Sequence, residues 1–161
     1  MVSHAPQLHL HLLGPPEVRL GDELLVFATR KTLALLIYLA IEGGAQPREH
    51  LATLLWPESS PERSYASLRN TLARLHSAMR KISGAASASY LLVTHKSLAL
   101  NPDADIDIDL HTVERAYIQA LNDRSSRVPP EGSTSLPLLQ SAVTCHRGDF
   151  LTGFSAWFKL D

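Results

Sequence analysis

SPERSYASLRNTLARLHSAMRKI, residues 60–82, decides how the rest of the chain is read. Leu68, Leu72, Leu75, Met79 and Ile82 recur at steps of four, three, four and three, the stripe of an amphipathic helix. Ser60 followed by Pro61 predicts the start: a side-chain oxygen for the free amides, then a fixed φ suited to the first turn. At about 100° per residue, Arg63, Asn70, Arg74 and Lys81 fall in a narrow band opposite that stripe. Ser67 and Ser77 lie beside the band, and Arg69 and Arg80 on its flank. From Glu62 to Lys81 there are five Lys/Arg against one acid, in a chain whose formal net charge is −1. Arg can fork onto guanine, Asn onto adenine, and Lys and Ser can hold phosphates, so this face suits a reader of the major groove. A plain solvated, cationic helix has the same composition. The flanking sequence has to decide between them.

Composition narrows the field. The 161 residues fit one domain or one and a half. With 45% apolar and 19% charged residues, the chain reads as globular, not disordered. Residues 1–101 carry ten Lys/Arg against seven Asp/Glu, and residues 102–161 five against nine. Nucleic-acid binding would therefore have to be local and sit in the first part. The lone Cys145 excludes an internal disulfide and suits a reducing cytosol, where a buried apolar filler is the expected role. The start, Met1 to Gln7, has no basic and apolar signal pattern. The longest apolar run, Leu33–Ile41, is shorter than the ~20 residues that span a bilayer. The expected location is the cytoplasm, in association with the nucleoid, without membrane contact.

Upstream of the Arg-rich helix, Leu8-His-Leu-His-Leu12 alternates as a half-buried strand with His9 and His11 outward. Gly14-Pro15-Pro16 turns the chain, Val18 to Leu20 returns, Gly21-Asp22 turns again, and Leu24 to Phe27 makes a third strand. Thr29 caps a helix from Arg30 to about Glu42 whose LALLIYLAI run predicts burial almost all round, ended by Gly43-Gly44. Pro47 opens a further helix, REHLATLLW, stopped at Trp56-Pro57. Downstream, a small-residue loop, GAASAS (84–89), leads to Tyr90–Thr94 and Ser97–Asn101. These read as a hairpin with His95 and Lys96 at its tip. Strands, then three helices, then a hairpin describe an α+β winged helix-turn-helix. Its third helix enters the major groove and its hairpin wing reaches backbone or minor groove. His95, Lys96 and Arg48, at the head of the second helix, are the backbone-contact candidates.

The remaining chain is acidic. Asp103, Asp105, Asp107 and Glu114 match positions one, three, five and twelve of a calcium loop, but position six is Ile108 where glycine is needed. Asp103 to Asp109 is therefore read as an extended linker into a helix capped by Asp109. His9 and His11 have no third ligand at a recognisable spacing. No metal and no cofactor is expected. A helix near Leu110–Leu121, a loop from Asn122 to Thr134 and a helix from about Ser135 to His146 complete this part. Two such helices cannot bury their apolar sides alone: either they dock onto the first domain or, the favoured expectation, the chain is the front part of a longer protein.

HLLGPPEVRLGD, TRKTLALLIYLAIEGG and REHLATLLWPESSPERSYASLRNTLARL together resemble the N-terminal part of the SARP-type bacterial transcriptional activators. In that family an OmpR-type winged helix precedes a TPR-like bacterial transcriptional activator domain, whose first repeat LLQSAVTCHRGDFLTGF is similar to. The resemblance covers Leu8 to Phe154. It implies a DNA-binding domain over 1–102 and the start of the helical domain over 103–161. It further implies binding to direct repeats in double-stranded promoter DNA by paired protomers, a homodimer on DNA, and recruitment of RNA polymerase. Arg69, Asn70 and Arg74 fall in the signature of the reading helix. Trp56, Pro57, Glu58, Ser59 and Ser60 occupy the loop from which OmpR-type domains touch polymerase. Two departures stand out. His76 replaces the second Arg of the family's RLR step, weakening one phosphate contact and making it pH-dependent. Pro47 stands where a Ser cap is common.

An enzyme is not expected, since there is no Gly-rich phosphate loop, nucleophile elbow, zinc-ligand series or paired carboxylates. The rival reading is a winged-helix protein-interaction module of a larger signalling protein, without direct DNA binding. An exposed, acid-free cationic face on the third helix favours DNA; an occluded or acid-covered one favours a protein partner.

Overall fold

The computed structural model describes residues 5–84, 90–125 and 135–153. In chain order the elements are β1 (Leu8–His11), β2 (Glu17–Leu20), β3 (Glu23–Leu24), α1 (Arg30–Glu42), β4 (Gln46–Pro47), α2 (Arg48–Leu55) and α3 (Pro61–Ser83). They continue with β5 (Leu91–Val93), β6 (Ser97–Leu100), β7 (Ile106–Ile108), α4 (Asp109–Ser125) and α5 (Ser135–Cys145). Four strands form a sheet in the order β3-β2-β1-β7, and three form a second in the order β4-β6-β5. This is the expected α+β winged-helix architecture with an N-terminal sheet and a hairpin wing. No described helix is long and apolar enough to cross a membrane. Residues 85–89 of the expected GAASAS loop, residues 126–134 of the expected loop from Asn122 to Thr134, and the Trp157-Phe158 end lie outside the described residues.

The chain divides into two compact units, residues 1–8 with 19–106, and residues 9–18 with 107–161. In the first unit α1 is the hub. Its N-cap Thr29 accepts from the Thr32 amide, and Gly43, with φ 64°, ends it where a side chain would be strained. Leu35, Leu36, Ile37 and Leu39 are fully buried, as the unbroken apolar run predicts. α3 packs on α1 and α2 through Leu68, Leu72, Leu75 and Met79, all under 10% exposed. Ser64 and Thr71 are buried beside them, which widens the seam beyond the leucine steps. The Ser64 hydroxyl avoids a penalty by donating to the Pro61 carbonyl at 2.9 Å.

Several local expectations change. The Ser60 side chain makes no capping bond; its backbone carbonyl, extended at φ −62°, accepts from the Ser64 amide instead. The third strand is two residues long, Glu23–Leu24, in place of the expected Leu24 to Phe27, and Val26 is 78% exposed. β4 went unforeseen because two residues carry no period. It pairs with β6, Gln46 opposite Leu98 and Pro47 opposite Ser97, and Pro47 then starts α2 without a side-chain cap.

In the second unit the acidic stretch is not a linker. Residues 106–108 form a strand, and Asp109 is 2% exposed at the head of α4. Its carboxylate accepts from the Leu12 amide through both oxygens at 2.9 Å and from the Leu13 amide at 3.0 Å. The side chain thus satisfies the end of β1, a role that spacing along the sequence does not reveal. α4 runs on to Ser125, past the expected Leu121, and packs on α5. The LLGPP and HRGDF runs meet: the Gly14 amide donates to Asp149 O at 3.0 Å and the Arg147 amide to Leu13 O at 3.1 Å. A Cβ on Gly14, whose φ is +118°, would come within 3.0 Å of the Arg147 Cβ, so this contact requires glycine.

Leu72→Ala removes buried atoms from the seam. Thermal or urea unfolding is expected to show a loss of ~2–5 kcal/mol relative to the parent.

Candidate nucleic-acid interface

The buried seam fixes where every other α3 side chain points. Arg63, Asn70, Arg74, Ser77 and Lys81 are exposed, and Ser67 is half-buried among them. Among the described residues no carboxylate pairs with Arg63, Arg69, Arg74, Arg80 or Lys81. The band is therefore cationic and open to a ligand. Glu62, in the first turn of α3, offsets the helix dipole there.

Arg69 belongs to a different place. It sits about 140° around the helix from Arg74, on the side facing the start of α2 and the hairpin. There Pro47, Arg48, Glu49, Tyr65, Arg69, His95 and Lys96 line one recess. The β4–β6 pairing builds it, because the Arg48 amide donates to the Lys96 carbonyl at 2.9 Å and ties the head of α2 to the hairpin tip. At that tip the Thr94 hydroxyl accepts from the Ser97 amide at 2.9 Å and the Lys96 amide at 3.3 Å. This side-chain turn supplies the closure that Asn-Gly would give in a tighter hairpin. Arg48 Nε is buried without a partner among the described residues. Arg48, Arg69, His95 and Lys96 thus line one open recess with a single acid, Glu49, among them.

The sequence-based candidates are brought together in two groups, a band along α3 and a recess beside it. Tyr65 was not foreseen. Its place in the chain, one turn before Arg69, is the only signal that could have found it; its ring is 38% exposed, and its hydroxyl can donate to a phosphate oxygen. In the α2–α3 loop, Trp56 is half-buried while Pro57, Glu58, Ser59 and Ser60 are exposed. A turn there is closed by the Ser59 amide on the Trp56 carbonyl at 3.1 Å. Among the described residues no three His, Cys, Asp or Glu side chains cluster as a metal site would require. His9 and His11 stack at 6.3 Å, and His9 faces Asp107 at 3.3 Å.

His76 is half-buried, and burial first, then the nearby Arg80 guanidinium, holds its imidazole below the ordinary 6.5.

No protein-family model matches the chain, and a search of curated proteins finds no match. Among solved structures, Mycobacterium tuberculosis EmbR in complex with a low affinity phosphopeptide is similar, with a TM-score of 0.67 and 21% sequence identity. The match covers 94% of this chain and 39% of that one, so the chain spans about two fifths of its length. At this identity the likeness shows the fold.

The His76 shift has a consequence for stability. The unfolded chain takes up the proton near pH 6.5, the folded chain only at lower pH. The stability from keeping the ring neutral is therefore present above 6.5 and lost as pH falls through the lower folded value. In unfolding measured from pH 7.5 to 5, His76→Gln is expected to flatten the acid-side decline.

Proposed function

We propose that this chain is the DNA-binding front part of a bacterial transcription regulator of the SARP type. On this reading it binds direct repeats in promoter DNA as paired protomers and recruits RNA polymerase. The observation that carries the reading is the acid-free cationic band of α3, exposed along its length and backed by a buried leucine seam. Arg74, Asn70, Arg63 and Ser67 read base edges in the major groove, and Ser77 and Lys81 extend the contact along the strand. The recess at Arg48, Arg69, His95 and Lys96 takes a backbone phosphate, with Tyr65 donating a further hydrogen bond. The loop Trp56–Ser60 faces polymerase. Residues 103–161 begin the TPR-like activator domain, of which α4 and α5 are the first pair. The protein acts in the bacterial cytoplasm, on the nucleoid.

The interaction-module alternative is disfavoured by the same band. A protein partner would have to bury Arg63, Arg74 and Lys81 together, and each buried cation needs its own acid. Duplex DNA offers phosphates at the required density.

Selection of bound DNA from a random duplex pool, at two salt concentrations, tests the reading. Enrichment of a repeated motif supports it, and recovery of unselected sequence at both salts counts against it. On the selected site, Arg74→Ala is expected to cost ~1–3 kcal/mol in a shift assay and to relax preference at one base position. Lys96→Ala is expected to weaken all sequences alike, with the slope of log K against log salt shallower by about 0.9.

A further inference from the structure

Lys31 sits where its own helix does not favour it. It is the second residue of α1, beside Arg30, and the first turn of α1 holds no acid. Two cations therefore face the positive end of a helix dipole. The neighbouring helix has the complementary gap. α2 ends at Leu55 with no basic residue in its last turn, so its terminal carbonyls lack a cation from their own segment. The half-buried Lys31 side chain joins the two: its Nζ donates to the Leu55 carbonyl oxygen and lies 5.5 Å from the centroid of the Trp56 ring, within cation–π range. A locally unfavourable charge that serves a neighbouring element signals a role there.

The α2–α3 loop begins directly after Leu55. The Trp56 amide closes α2 on Ala52 O at 3.0 Å, and the Ser59 amide turns the chain on Trp56 O at 3.1 Å. Pro57 and Pro61 stiffen either side. The position of Trp56 therefore sets where Pro57, Glu58 and Ser59 are presented to solvent. We infer that Lys31 is a positioning residue for this loop: by covering the end of α2 and holding the Trp56 ring, it presets residues 56–60 for a protein partner. The partner, RNA polymerase, rests on the function proposed above; the tether between Lys31 and Trp56 does not.

The chain has two tryptophans, Trp56 and Trp157, so Trp157→Phe leaves Trp56 as the sole indole reporter. In that background Lys31→Met removes the charge at similar length, and Lys31→Arg keeps the charge. Losing both the dipole and the ring contact weakens the preset loop about tenfold against its open forms. Lys31→Met is expected to make Trp56 more accessible to acrylamide quenching and to lower transcription by bacterial RNA polymerase from a template carrying the selected site about tenfold. Its affinity for that DNA is expected to stay within about twofold, and Lys31→Arg to restore both readouts. Unchanged Trp56 quenching in Lys31→Met overturns the inference. Loss of DNA affinity or of helical circular dichroism in Lys31→Met also overturns it, in favour of a general part in folding. A released Trp56 with unchanged transcription supports the tether and overturns the polymerase-facing reading of the loop.

Discussion

Burial of the α3 seam is the constraint on which the surface of the first unit depends. Leu68, Leu72, Leu75 and Met79 are removed from water against α1 and α2, at about 1.5–3 kcal/mol for each side chain fully buried. Rotating α3 by one residue would turn its surface about 100°, exposing leucines and driving cations toward the core. The cost of that rotation is what keeps Arg63, Asn70, Arg74 and Lys81 outward. The charged band does not stabilise the fold. It is held in place by the apolar side that does.

A second, weaker constraint shapes the recess. Pairing of β4 with β6 brings the head of α2 to the hairpin tip, and the Arg48 amide on Lys96 O holds them there. None of these bonds uses a cationic side chain, so the guanidinium and ammonium groups are left for a ligand. Backbone groups position; side chains recognise. The second unit differs: there a side chain positions backbone, the buried Asp109 carboxylate accepting from the Leu12 and Leu13 amides. There an acid that reads from the sequence as a helix cap is used to close a strand end.

Charge placement within the first unit follows helix dipoles only when neighbouring helices are considered together. Arg30 and Lys31 contradict the dipole of α1, and Lys31 resolves the contradiction by serving α2. His76 shows the reverse case: a residue in a cationic helix in which burial, then Arg80, disfavours the charged form.

Periodicity by itself determined α1, α2 and α3 to within a residue or two, the inward side of α3 and the hairpin. In these segments local propensity and burial agree, so a pattern of 3.6 or 2 suffices. The acid-free band was also legible, because the angular position of a side chain follows from its number once the seam is known. Only the tertiary structure decided that Arg69, on the flank of the band, lines the recess with Tyr65, that β4 exists, that residues 106–108 are strand, and that Lys31 reaches Leu55 and Trp56. Each of these rests on a contact between residues far apart in the chain or on an element too short to have a period. Such contacts are chosen by packing and by the pairing of stray backbone groups, neither of which leaves a mark on the neighbouring letters.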